Sequence, residues 1–280
     1  MSELETARDT SKVIVLNELS KEQEYRDPHL SYGYGMDAVE LAEKLEFRSG
    51  MAYGYMNLGN YHSEQGGYEK AIEYYSKALK VYKDLEDGAG IKNSLNNIGN
   101  VHRLMANYDE ALDFSLQALA ISEEIGDKKG IAYALNNVAI VYAMLERYDT
   151  VLEYFLRSLK LCEEIDDKKG IAYTLNNIGL VYEEMDEYDT ALEYHRRSLK
   201  IKKETGNRNG IASSYENIGN IHFELENYER ALEYSLKSLE IKNEIGHREG
   251  IVHSSIMIGN IYLHGKHYDK ASRFSGRPWK

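Results

Sequence analysis

Glycine recurs at forty-residue intervals along this chain, at Gly50, Gly90, Gly130, Gly170, Gly210 and Gly250. Tyr68, Tyr108, Tyr148, Tyr188, Tyr228 and Tyr268 form a second ladder at the same interval, and Ala71, Ala111, Val151, Ala191, Ala231 and Ala271 a third. Such periodicity excludes a single central core, because each unit must bury its apolar face against the next one along. The first forty residues join less obviously, with Asn17 matching Asn57, Ser31 matching Ala71, Tyr34 matching Tyr74 and Ala38 matching Ala78. The 280 residues therefore read as one domain of seven units, approximately 10–49, 50–89, 90–129, 130–169, 170–209, 210–249 and 250–280, the last incomplete.

Each unit reads as two helices. Asp127 is placed to cap one, with Lys128, Lys129 and Gly130 in its first turn, and Asn107 to cap another ahead of Tyr108. Asp27-Pro28 does the same in the divergent first unit, with proline at the first helical position. The only prolines are Pro28 and Pro278, so nothing in the middle interrupts a helix. Connections of about three to six residues force antiparallel pairing. Leu95, Ile98, Gly99 and His102 share one stripe of a first helix, with Gly99 small where a neighbour comes close. On the second helix Ala111 and Ala118 supply small contacts, and Leu112, Leu119 and Ile125 the bulk. The expected fold is all-α, an α-solenoid wound as a right-handed superhelix of about seven antiparallel helix pairs.

Composition narrows the function. With 34 basic and 46 acidic residues the net charge is −12, which works against nucleic acid as a partner and leaves room for a basic one. No apolar run reaches the ~18 residues of a membrane span. The start, MSELETARDT, lacks the basic and apolar regions of a signal peptide. A single cysteine, Cys162, excludes an internal disulfide framework, so a cytoplasmic location and no membrane partner are expected. Cys162 shares its repeat position with Ser122, Lys202 and Lys242 and reads as an exposed bystander. His62, His102 and His222 stand where Tyr142 and Tyr182 stand and read as packing residues. His264 and His267 lack a third ligand at suitable spacing, so no metal is expected. GNIYLHGKH departs from a phosphate-binding loop at its spacing and at His267. No cofactor and no catalytic residue is expected, and the chain does not read as an enzyme.

Leu175, Ile178-Gly179, Tyr182, Tyr188, Ala191 and Ser198 mark one unit as similar to the tetratricopeptide repeat (TPR) family, and the resemblance spans roughly residues 10 to 275. The usual TPR is about 34 residues and ends in proline. Here Lys83, Glu123, Glu163, Lys203 and Asn243 occupy that place, and longer helices are expected to absorb the extra length. Long-helix arrays of this type resemble those of bacterial signalling proteins. The resemblance implies a non-catalytic interaction module that holds a peptide or partner segment in a concave groove lined by first helices. Two alternatives stand beside it: a sensory segment of a larger bacterial signalling protein with a kinase or cyclase output, and a self-associating scaffold.

Paired asparagines recur in the first helices at Asn96-Asn97, Asn136-Asn137 and Asn176-Asn177. On a wheel centred on Leu95, Ile98, Gly99 and His102 fall within about 60°, whereas Arg103, Asn96, Asn100 and Asn97 fall at roughly 80° to 200°. Both amides of each pair are thus expected off the core stripe, facing the groove. An amide offers donors and an acceptor that match an extended peptide backbone. Asn96, Asn136 and Asn176 are read as ligand contacts. For Asn97, Asn137, Asn177 and Asn217, ligand contact and a bond to the neighbouring helix both stay open. Asn60, Asn100, Asn220 and Asn260 repeat another groove position, with Arg103 beside them. Four amide contacts at about 0.5–1.5 kcal/mol each fall short of the ~8 kcal/mol of a micromolar complex. Tyr53, Tyr133 and Tyr173 are therefore expected as anchors. Glu183, Glu184, Glu216 and Glu224, with Phe223 among them, favour a basic or amphipathic protein or peptide ligand.

The seventh unit holds register through Ile258, Gly259, Tyr262, Tyr268 and Ala271, then departs at Ser272, Gly276, Pro278 and Trp279. Its second helix is expected to end after about two turns, leaving the array uncapped. Truncation from a longer array, or a homodimer through residues 250 to 275, would account for that end.

Overall fold

The computed structural model describes residues 3–24 and 26–265. Every described element is a helix: α1 (Glu3–Gln23), α2 (Pro28–Lys44), α3 (Arg48–Glu64), α4 (Tyr68–Asp84), α5 (Gly88–Leu104), α6 (Tyr108–Glu124), α7 (Lys128–Met144), α8 (Tyr148–Glu164), α9 (Lys168–Glu184), α10 (Tyr188–Glu204), α11 (Arg208–Glu224), α12 (Tyr228–Glu244) and α13 (Arg248–His264). From α3 on, each helix has 17 residues and each link has three, so the added repeat length lies in the helices. Two compact units divide the chain, Met1–Tyr154 and Phe155–Lys280. In the first, α1 packs on α2, α3 on α4 and α5 on α6, and successive pairs stack in order. The second pairs α9 with α10 and α11 with α12, then adds α13. The expected all-α solenoid is what forms.

Each link does two jobs with three residues. In Leu85-Glu86-Asp87 the amide of Glu86 donates to the Lys83 carbonyl at 3.1 Å and that of Asp87 to the Tyr82 carbonyl at 3.0 Å. This is the paired closure of a Schellman motif, which satisfies carbonyls left over at a helix end. The middle residue must be left-handed, and Glu86 has φ 54°. The same turn recurs at Glu46, Gly66, Ala106, Gly126, Glu146, Asp166, Asp186, Gly206, Glu226 and Gly246, all at positive φ. The third residue then caps the next helix. Asp87, Asp127, Asp167 and Asn207 accept from the amides of Gly90, Gly130, Gly170 and Gly210 at 2.9 to 3.1 Å. Asp27 likewise accepts from His29 and Leu30 ahead of Pro28. Second helices differ: Asn107, expected to cap α6, makes no side-chain cap bond. There the preceding Schellman closure and the helix itself set the boundary without it.

The glycine ladder has a steric cause. A Cβ at Gly90 would sit 2.2 Å from the Tyr82 ring, so the residue whose amide donates to the Asp87 cap must lack a side chain there. Gly99 faces α6, where a Cβ would lie 3.3 Å from the Ala111 carbonyl oxygen. Leu95, Ile98 and Val101 are buried on that stripe, opposite Ala111, Ala118 and Leu119. Fully burying each leucine or isoleucine contributes about 1.5–3 kcal/mol. Ile125, expected among the bulk, is instead 43% exposed, because it falls in the link after α6 rather than on its inner stripe.

The expectation for the end of the seventh unit, including a dimer through residues 250 to 275, falls largely on residues 266–280, outside the described residues. No described helix is long and apolar enough to cross a membrane.

Candidate functional site

The amides form a ladder between first helices. Asn57 donates to both the backbone and side-chain oxygens of Asn17, at 2.9 and 3.3 Å. Asn97 donates to Asn60 Oδ1 at 3.4 Å, and Asn137 donates to Asn96 Oδ1 at 3.1 Å. In the second unit Asn217 donates to Asn176 Oδ1 at 3.3 Å. Asn97 and Asn137, the second amides of two pairs, and Asn57 and Asn217 at the same repeat position therefore reach back one repeat, and register between first helices is held by directional bonds as well as by apolar contact. Asn177 Nδ2 is buried without a partner.

This corrects the wheel. Asn96 and Asn136 were expected off the core stripe, and both are buried, at 6% and 3% exposure. Asn136 turns its Nδ2 onto the Ala132 carbonyl at 3.0 Å. A wheel describes one helix alone, whereas α7 packs against α5 and its Asn137 reaches Asn96 across that contact. Asn176 stays half-buried, accepting from Lys202 Nζ at 3.1 Å. Asn60 is half-buried, accepting from the Tyr75 hydroxyl at 2.8 Å.

What stands outward is mostly aromatic or apolar. Tyr133 on α7 is 57% exposed and Tyr173 on α9 is 48% exposed. Leu104 on α5 and Met144 on α7 in the first unit, and Leu180 on α9 in the second, are exposed as well. Asn100 is exposed and engaged by Arg103, whose Nη2 donates to its Oδ1 at 2.7 Å. Phe223 is half-buried, edge-on to Tyr228 and His264. Glu183 and Asn220 are half-buried and Glu224 exposed. Glu216 is committed elsewhere, to Lys242 at 2.8 Å and His253 at 2.5 Å.

Sequence reasoning missed one buried column. Tyr82, Ser122, Cys162, Lys202 and Lys242 share a repeat position, and all are buried. Cys162 is accordingly not the exposed bystander expected: its Sγ presses on Gly170. Lys202 Nζ donates to Asn176 Oδ1 and to Ser214 Oγ at 2.9 Å, both of them neutral oxygens. Burial pushes its ammonium down to about 8. Lys242 has the same geometry, donating to Ser254 Oγ at 3.0 Å, but Glu216 stands where Asn176 would and supplies the counter-charge. The signal was available, since Tyr82 and Cys162 on the same column are not solvent-seeking residues. A second such column carries His195, fully buried where Tyr75, Ser115, Phe155 and Ser235 are buried too.

Three further histidines stack between paired helices, His62 on Tyr74 at 5.4 Å, His102 on Phe114 at 5.4 Å and His222 on Tyr234 at 5.7 Å. Burial lowers the pKa of His62 and of His222, which favours the neutral rings that pack there. Among the described residues no group of three or more His, Cys, Asp or Glu is arranged to hold a metal ion.

Residues 50–124, 130–204 and 210–276 match the family model of the tetratricopeptide repeat, which is most of the chain. The chain belongs to the tetratricopeptide repeat family. Solved structures share its fold at low sequence identity. A signal transduction ATPase with numerous domains, carrying a TPR sensor, from Pyrococcus horikoshii superposes with TM-score 0.72 at 19% identity, over 94% of this chain and 40% of that one. A Rap protein complexed with competence and sporulation factor gives 0.66 at 16% identity, over 94% and 76%. The Rap conjugation gene regulator of plasmid pLS20, in complex with the Phr* peptide, gives 0.67 at 15% identity, over 94% and 83%. At these identities the likeness is one of TPR fold. No curated protein matches the sequence.

Proposed function

We propose that this TPR chain is a non-catalytic interaction module that holds a peptide or partner segment along the outward faces of its first helices. The observation that carries the reading is the exposure of Tyr133 and Tyr173, large aromatic side chains at the same repeat position, on helices where the ladder already engages Asn137 and Asn176. Rigid aromatic side chains lose little entropy on binding and anchor interfaces. Support comes from the Rap structure with the Phr* peptide, which shows this fold with a peptide bound. Asn60, Asn100, Arg103 and Asn220 would contribute polar contacts, whereas Asn96 and Asn136 would act by holding the helices in register. Excess acid, Glu183 and Glu224 included, suits a basic or amphipathic ligand.

Selection of random twelve-residue peptides on the full chain tests the reading. Enriched peptides should bind at least tenfold more weakly to Tyr133→Ala or Tyr173→Ala, with melting temperature unchanged. Failure to enrich any peptide, or binding indifferent to both tyrosines, would remove the reading.

A second reading has its own observation. The Pyrococcus horikoshii protein places such an array as the sensor of a larger ATPase, and this chain spans 40% of its length. If this chain is likewise a sensory segment, the full gene encodes an output domain alongside it, which reading that gene would show directly.

A further inference from the structure

Lys202 and Lys242 bridge successive first helices of the second unit in one geometry, and only Lys242 has a counter-charge. Lys242, on α12, donates to Ser254 Oγ at 3.0 Å and to Glu216 Oε2 at 2.8 Å. Lys202, on α10, donates to Ser214 Oγ at 2.9 Å and to Asn176 Oδ1 at 3.1 Å. Asn176 is the counterpart of Glu216 one repeat earlier, so the Lys202 ammonium meets an amide dipole where Lys242 meets a full charge. Lys202 is 8% exposed, and desolvation brings its titration down to about 8. An ammonium carries three donors, so these two bonds leave one hydrogen without a partner among the described residues. A buried cation lacking a counter-ion destabilises the free chain, and a ligand that brings the missing charge recovers that loss on binding.

The Lys242 site shows how such a charge is reached from outside. Glu216 holds Lys242 through one oxygen and His253 through the other, at 2.5 Å, and the His253 side chain is 66% exposed. The place of a carboxylate beside this buried ammonium is therefore touched by a side chain that stands in solvent. At the Lys202 site Ser213 replaces His253, and Asn176, one methylene shorter than glutamate, replaces Glu216. Both replacements give up bulk on that approach. Asn176 is half-buried, and its Oδ1 is taken by Lys202 and Asn217, which leaves its Nδ2 as a donor. Tyr173, the proposed anchor, stands exposed one turn earlier on the same helix.

We infer that the seam between α9 and α11 binds a carboxylate of the ligand, which accepts from the remaining Lys202 hydrogen and from Asn176 Nδ2. The inference rests on the peptide-binding reading and adds one acidic contact to it. A chain terminus and an Asp or Glu side chain present the same group, an acceptor with no donor of its own, which suits a site made of donors. Glu183 and Glu224 lie at the C-terminal ends of α9 and α11, away from this seam, so a ligand with charges of both signs fits the two places together.

Two small acids test the site apart from any longer ligand. Nα-acetyl-alanine carries a terminal carboxylate and Nα-acetyl-aspartic acid α-amide a side-chain one, with Nα-acetyl-alanine amide and Nα-acetyl-asparagine amide as their neutral counterparts. Each is titrated into the full isotope-labelled chain at pH 7 and followed by NMR at the Lys202 side chain and the Asn176 amide. Saturable shifts at millimolar acid are expected, with the neutral counterparts at least about tenfold weaker. The acid that binds more tightly identifies the source of the carboxylate. Lys202→Met should abolish the response at Asn176, and Glu216→Gln should open an equivalent site at Lys242. Acids that bind the unaltered protein no better than their amides, or that bind the Lys202→Met chain equally, would overturn the inference. Selected peptides that keep their affinity when every carboxylate is amidated would overturn it too, while leaving the peptide-binding reading intact. Acid binding at Lys202 with no peptide enriched would do the reverse.

Discussion

Lys202 and Lys242 occupy one repeat position with opposite electrostatic surroundings, and replacing each by methionine should move stability in opposite directions at neutral pH. Lys202 is 8% exposed and bonded only to neutral oxygens, Asn176 Oδ1 and Ser214 Oγ. Its ammonium titrates near 8 in the folded chain against an ordinary 10.5. That gap corresponds to roughly 3 kcal/mol of unfavourable charge burial. The unfolded chain keeps the proton until pH passes 10.5, so between about 8 and 10.5 it binds more protons than the folded chain, and stability rises with pH across that window. Below 8 the cost is fully present. Lys202→Met removes it, at the loss of two hydrogen bonds of about 1 kcal/mol each. The variant should therefore be about 1–2 kcal/mol more stable than the parent at pH 7 and about 1 kcal/mol less stable near pH 10.5. Lys242→Met instead strips the counter-charge from Glu216, whose side chain is 19% exposed, and should cost about 1–3 kcal/mol at pH 7. Urea denaturation followed by circular dichroism, at several pH values from 7 to 10.5, reads all three proteins. Tyrosine ionisation is common to them and cancels in the differences. A Lys202→Met variant less stable than the parent at pH 7, by an amount constant across the series, would refute the reasoning.

Other outcomes follow from the links, the glycines and the amide ladder. Glu86→Gly relieves a left-handed residue at φ 54° and should stabilise by about 0.5–1 kcal/mol, read as a raised urea midpoint. Gly59→Ala places a Cβ 2.4 Å from the Tyr75 ring and should cost about 1–3 kcal/mol, largely recovered by Tyr75→Ser, since Ser115 faces Gly99 in the next repeat. Asn137→Ala leaves the buried Asn96 Oδ1 without its donor and should cost about 1–3 kcal/mol with helix content unchanged in circular dichroism. Binding of any selected basic peptide should weaken steeply with added salt, because the carboxylates proposed to meet it are exposed Glu224 and half-buried Glu183, and affinity flat in salt would exclude them as contacts.

The forty-residue interval, the absence of internal proline and the Asp127 and Asp27-Pro28 signals were enough to determine an all-helical repeat array, because caps and periodicity are local chemistry. Gly99 and its stripe were legible for the same reason: an apolar face one helix wide needs one neighbour, and the repeat supplies it. The three-residue turn that recurs every twenty residues was not, since Glu, Asp and Ala at most of the left-handed positions carry no sign of positive φ. Only tertiary structure decided the fate of the paired asparagines, of Cys162 and Lys202, and of Asn107. An angle on a wheel says which way a side chain leaves its own helix, while burial depends on what the next repeat lays over it. Asn96 and Tyr133 both leave the core stripe of a first helix, yet one is covered by a neighbouring first helix and the other meets solvent. That difference is set by the approach of one helix to another, a distance that no single unit of the sequence contains.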